Sequence, residues 1–153
     1  MTTIAFKDGI LASDSRYSHE SFGITRGPKL FRKTVGKREF LLGIAGDAHA
    51  AMLFVDWYGT SNADLYKILT EMADDNFAVL VWDGKHLSEA NRYCRPIEVD
   101  EPYYAIGSGA GHAMTAMDCG KNAVQAVRFA ARRDHYTGGR IVSMSLTKGK
   151  AAP

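Results

Sequence analysis

The chain has two cysteines, four prolines and a formal net charge of only +2. Cys94 and Cys119 stand far apart and match no metal-ligand spacing, as in a protein whose thiols stay reduced in a cytosolic compartment. So small a charge gives no reason to expect a nucleic-acid partner. No apolar stretch approaches the roughly 18 residues needed to cross a bilayer, so no membrane role is expected. The start lacks a basic segment followed by an apolar run, so it does not read as a secretory signal. No repeat, linker or low-complexity segment interrupts the chain.

What remains is a 153-residue chain, 46% hydrophobic and 24% charged, enough for one core-forming domain. Residues 1–146 are expected to form that domain. Thr147 to Pro153, small, basic and aperiodic, is expected to be a flexible tail.

Patterning predicts strands over Thr2–Phe6 and Ile10–Ser15, joined by a turn at Asp8-Gly9. A second pair covers Lys29–Thr34 and Glu39–Ala45. After Gly46 the period changes. Asp47 is placed to cap a helix over Ala48–Tyr58 that Gly59 stops, and Asn62 to cap another over Ala63–Asp74. Strands follow over Phe77–Trp82, Lys85–Ala90, Asn91–Arg95 and Tyr103–Ile106. Helices are expected over Gly109–Cys119 and Lys121–Arg133, and a last strand over Arg140–Leu146. Strands in hairpins imply antiparallel sheets. Two such sheets, each covered on its outer face by a helix pair, would bury every apolar stripe, an α+β fold.

The N-terminus carries the chemistry. Removal of Met1 would leave Thr2 with a hydroxyl and a free α-amine a few bonds apart. The α-amine has an unperturbed pKa of about 7.7–8.0. A threonine hydroxyl is a weak nucleophile that needs a neighbouring base, and the amine can be that base. An ordinary trimmed terminus has the same sequence. If the first two strands pair, Asp14 ends at the same sheet edge as Thr2 and can reach Lys29. A lysine ammonium there favours an alkoxide, and a carboxylate holds the lysine. The alternatives are a turn aspartate and a solvated lysine.

Gly46 lies at a strand-to-helix junction, where a backbone N–H can stabilise an oxyanion or where a glycine simply permits close packing. Gly107-Ser108-Gly109-Ala110-Gly111 lacks the spacing of a dinucleotide loop. Ser108 is free to orient an amine or to sit in a tight turn. Asp134 and Thr137, in Asp134-His135-Tyr136-Thr137-Gly138-Gly139, either bond a neighbouring amine or form a helix cap and turn.

Taken in order, Thr2-Thr3-Ile4, Asp14-Ser15-Arg16, Gly27-Pro28-Lys29-Leu30, Ala45-Gly46, Ile106-Gly107-Ser108-Gly109 and Arg133-Asp134-His135-Tyr136-Thr137-Gly138-Gly139 resemble proteasome β-type subunits. The chain is most similar to bacterial HslV peptidases and to short phage-encoded relatives. The resemblance implies the four-layer αββα sandwich of N-terminal nucleophile hydrolases. It implies a threonine-type endopeptidase with Thr2 as nucleophile and amine base, Lys29 and Asp14 as charged partners, and the Gly46 N–H as oxyanion hole. Ser108, Asp134 and Thr137 would surround the amine. Thr137 stands where many relatives carry serine, and the hydroxyl is kept.

By the same resemblance Tyr17, Gly27, Phe31, Ile44, Ala48 and Met52 line the pocket for the residue before the cut. None of them is charged, which predicts cleavage after apolar or aromatic residues. The resemblance further implies a homo-oligomeric ring in the cytoplasm (the host's, for a phage protein), peptide or unfolded polypeptide substrates, an ATPase unfoldase as candidate partner, and no cofactor or metal. Met52, Phe54, Trp57 and Tyr58 on one helix offer apolar surface for neighbouring subunits. Two other readings share the fold: a non-catalytic ring or scaffold subunit, and a small-molecule amidase.

Overall fold

In the computed structural model, residues 2–21, 23–71 and 76–146 are described. Asp8 and Gly9 both take positive φ, 54° and 76°. This is the backbone that a two-residue hairpin requires. It joins β1 (Thr3–Lys7) to β2 (Ile10–Ser13), in a register that sets Ile4 opposite Ser13. Thr2 and Asp14 therefore emerge at the same end of the hairpin. A second hairpin, β3 (Arg16–His19) and β4 (Gly23–Arg26), stands apart as a two-stranded sheet.

The chain then builds β5 (Leu30–Val35), β6 (Arg38–Gly46), α1 (Ala48–Trp57), α2 (Ala63–Glu71), β7 (Phe77–Trp82), β8 (Leu87–Ala90) and β9 (Ile97–Glu98). It closes with β10 (Tyr103–Gly107), α3 (Ala110–Asp118), α4 (Ala123–Ala131) and β11 (Val142–Ser145). Antiparallel pairing gives two sheets, ordered β10-β1-β2-β11 and β5-β6-β7-β8-β9.

Side-chain alternation assigns the layers. Ile4, Phe6 and Leu11 of the first sheet meet Leu30, Leu41, Leu80 and Leu87 of the second in a buried middle layer. The opposite faces carry different chemistry. Ala5, Ala12 and Ala105 lie under Ala113, Ala116, Ala126, Val127 and Ala130 of α3 and α4, so those helices pack through small side chains. Leu42, Ile44, Val79 and Val81 face Phe54 and Val55 of α1 and Leu69 of α2. Phe40 to Ala45 are all buried, so β6 reads as one apolar run covered on both faces. This is the αββα sandwich expected from the order of elements.

Some expectations need correction. Phe54 is wholly buried and offers no surface to a neighbour, while Met52 and Trp57 of α1 and Tyr58 just after it are partly buried against the same core. No strand forms over Asn91–Arg95. The Asn91 side chain accepts the Tyr93 N–H (3.0 Å) and its carbonyl accepts the Cys94 N–H (2.9 Å), which curls the segment into a turn. Lys85 belongs to the turn before β8, held by Asp83 Oδ1 through the Lys85 and His86 N–H groups at 2.8 and 2.6 Å. The last helix begins after Lys121, because Asn122 and Gln125 form a reciprocal capping box. The expected end of the second helix and the tail at 147–153 lie outside the described residues.

Candidate active site

One end of the sandwich gathers the predicted polar residues. Thr2 precedes β1, Asp14 follows β2, Lys29 precedes β5 and Gly46 ends β6. Ser108 follows β10, while Asp134 and Thr137 follow α4. Thr2, Asp14 and Lys29 are at most 3% exposed, so their polar atoms depend on one another.

Lys29 Nζ donates to Thr2 Oγ1 at 2.5 Å and to Asp14 Oδ1 and Oδ2 at 3.1 and 3.2 Å. Its remaining donor capacity goes to the Arg16 carbonyl. Thr2 Oγ1 in turn donates to Asp14 Oδ1. The Asp14 carboxylate also accepts three backbone N–H groups: Thr3 at 3.2 Å, Arg16 at 3.2 Å and Gly138 at 3.0 Å. Burial lowers the Lys29 pKa from its ordinary value, and the Asp14 charge opposes that shift without cancelling it.

A second polar group adjoins the first. Ser108 Oγ lies 2.6 Å from Asp134 Oδ2 and 3.3 Å from the Thr2 carbonyl oxygen. Thr137 Oγ1 donates to the same Asp134 oxygen and lies 2.7 Å from Thr3 Oγ1. Burial alone would raise the Asp134 pKa, but the hydroxyls of Ser108 and Thr137 and the Tyr136 N–H hold it below the usual value.

Gly46 lies beside Thr2 in a small cavity that Tyr17, Lys29, Ile44, Ala45 and Ala48 also line. Its φ is +92°, and a Cβ there would sit 2.2 Å from the Asn76 carbonyl oxygen. The Asp47 N–H donates to that oxygen at 2.9 Å, which fixes the β6–α1 junction. Asp47 Oδ1 then caps α1 through the Ala50 N–H at 2.8 Å. Of the six residues expected around the pocket, Tyr17, Ile44 and Ala48 line this cavity. Gly27 lies against the Tyr17 ring, and Phe31 and Met52 pack against the core between the second sheet and its helices instead.

Among the described residues, no group of three or more His, Cys, Asp or Glu side chains is placed to hold a metal. No helix among them is long and apolar enough to cross a membrane.

No protein-family model matches the chain, and a search of curated proteins finds no significant match. Solved structures do match. BPH from Thiobacillus denitrificans, in complex with epoxomicin, superposes with a TM-score of 0.69 at 19% identity, over 95% of this chain and 97% of its own. HslV from Trypanosoma brucei gives 0.67 at 16% identity, over 94% and 97%. Anbu from Yersinia bercovieri gives 0.73 at 18% identity, over 94% and 80%. The chain has the HslV-type fold.

Within that HslV-type fold, two contributors escaped the sequence reading. Thr3 gives its N–H to Asp14 and its hydroxyl to Thr137. Arg16 gives its backbone N–H to Asp14 and its carbonyl to Lys29, and its guanidinium donates to the His135 carbonyl at 3.0 Å. The guanidinium lies where a Cβ on Gly138 would come within 2.4 Å of Cζ. Arg16 therefore sits flat against the Gly138 backbone, whose N–H reaches Asp14. The only available signals were adjacency, Thr3 beside Thr2 and Arg16 two residues after Asp14.

Proposed function

We propose that the protein is a threonine-type endopeptidase in which Thr2, exposed by removal of Met1, is both nucleophile and base. The observation that carries this reading is the buried contact of Lys29 Nζ with Thr2 Oγ1, backed by Asp14.

The steps follow from the geometry. The freed α-amine takes the proton of Thr2 Oγ1 as the oxygen attacks a peptide carbonyl. The Lys29 ammonium stabilises the developing alkoxide, and Asp14 keeps Lys29 charged and in place despite its burial. The carbonyl oxygen becomes an oxyanion, for which the Gly46 N–H at the end of β6 is the donor. The C–N bond then breaks, the ammonium returns its proton to the leaving amine, and an ester remains on Thr2. Water, deprotonated by the same amine, hydrolyses the ester. On this reading Ser108, through the Thr2 carbonyl, and Asp134 and Thr137, bonded to Ser108 and Thr3, fix the orientation of the amine.

The natural substrates on this reading are peptides or unfolded polypeptides, cleaved in a cytoplasmic homo-oligomeric ring that an ATPase unfoldase can feed. The test is covalent labelling. Protein beginning at Thr2 is treated with epoxomicin, the compound present in the Thiobacillus BPH structure, and assayed with fluorogenic peptides. An adduct mapped to Thr2 together with peptide turnover supports the peptidase. A folded protein with neither adduct nor turnover supports the scaffold subunit.

A further inference from the structure

Two cavities adjoin Gly46, and they differ greatly in size. One, of about 240 Å³, is lined by residues that include Gly46, Phe77, Gly107 and Ser108. The other, walled by Thr2, Tyr17, Lys29, Ile44, Gly46 and Ala48, has a free volume of about 10 Å³. A void that small holds about one water molecule.

Tyr17 accounts for the difference. Its phenol donates to the Pro28 carbonyl at 2.7 Å, and the Lys29 ammonium lies 5.0 Å from its ring centroid. The ring lies on Gly27, where a Cβ would come 2.8 Å from Cε2. Its backbone is paired with Thr25 across the β3–β4 hairpin. The side chain is thus fixed at its tip, its face and its root. Burial raises the phenol pKa, with the Asp14 charge adding to the effect.

Chemistry assigns the two cavities, provided that the proposed peptidase function holds. The small cavity is walled by the nucleophile Thr2, by Lys29 and by Gly46, the donor proposed for the oxyanion, whereas the larger one includes Gly46 and Ser108 but not Thr2. A carbonyl held between Thr2 Oγ1 and the Gly46 N–H stands at this small cavity, so the side chain next to it meets Tyr17, Ile44 and Ala48. We propose that Tyr17 sets the depth of this acyl-side pocket and restricts cleavage to bonds that follow a small residue: Gly, Ala or Ser. This narrows the broad apolar preference that the sequence alone suggests.

The experiment uses the full chain beginning at Thr2, and Tyr17→Phe and Tyr17→Ala variants of it. Each is given a peptide library that varies only the residue before the cut, with products read by mass spectrometry. Wild type should cleave after Ala in preference to Leu by about tenfold or more in kcat/KM, the scale on which pocket size discriminates. Tyr17→Phe keeps the ring and should keep that ratio. Tyr17→Ala removes it and should invert the ratio towards Leu and Phe, with turnover still abolished by adding Thr2→Ala. Wild type that cleaves as well after Leu or Phe as after Ala overturns the proposal. So does an unchanged ratio in Tyr17→Ala whose Thr2 is still labelled by epoxomicin. Folded proteins that show no Thr2-dependent cleavage and no adduct mark a failure of the peptidase reading, and the pocket assignment falls with it.

Discussion

Lys29 Nζ stands 2.5 Å from Thr2 Oγ1 and 3.1 Å from Asp14 Oδ1, in a site where all three residues are buried. A buried cation and anion compensate each other only while both are present. Lys29→Ala should lower peptidase turnover by about 10²–10³, the usual effect of removing one stabiliser of a developing oxyanion. Asp14→Ala should be worse for the fold, because it strands Lys29 and three backbone N–H groups, and a broken buried pair costs about 3–5 kcal/mol. Thermal melts beside initial rates check both. Wild-type rates in Lys29→Ala would refute its role.

Gly46 makes a separate prediction. A side chain there meets both a φ of +92° and the Asn76 backbone 2.2 Å away, and neither can yield cheaply. Gly46→Ala should destabilise by about 1–3 kcal/mol for the strained backbone alone. It should also reduce turnover far more than substrate binding, because in the proposed mechanism the displaced N–H serves the oxyanion. A kcat and KM measurement on a variant shown to be folded separates the two. An unaltered kcat would exclude the Gly46 N–H as the donor.

The pH dependence follows from Lys29. Its folded pKa lies below the ordinary lysine value of 10.5, mainly because burial penalises the charge. Between the folded pKa and 10.5 the unfolded chain binds more protons than the folded one. Stability from this group therefore rises with pH across that window and is lost as pH falls through the folded pKa. Activity runs the other way, because the mechanism needs Lys29 charged. Turnover should decline on the alkaline side before pH 10.5 while the protein remains folded. A pH–rate profile recorded with circular dichroism at each point checks this. Turnover that stays flat past pH 10.5 would show that the Lys29 charge is not required.

Much of this arrangement was legible in the sequence, where local chemistry is strong. Asp8-Gly9 announced the hairpin that brings Thr2 and Asp14 to one edge, and Asp47 and Asn62 announced their helices. β3 and β4 were not legible. Most of their residues are exposed, so no burial alternation marks them. The strand expected at Asn91–Arg95 failed because an asparagine side chain competed for the backbone. In the site, Thr2, Asp14 and Lys29 stood out as polar residues beside apolar strands. Arg16 did not, because two of its contacts run through its backbone and a third depends on the bare backbone of Gly138, which lies far along the chain.

The most direct measurement compares two forms of one protein, with Met1 retained and with Thr2 as the first residue, each confirmed by intact mass. While Met1 is attached, the Thr2 nitrogen is an amide and cannot act as a base near neutral pH. Once it is free, the nitrogen is an amine with a pKa of about 7.7–8.0, matched to general-base work. Peptide hydrolysis is expected only in the form beginning at Thr2, and it should be lost in Thr2→Ala. Equal hydrolysis with Met1 in place would contradict the N-terminal mechanism.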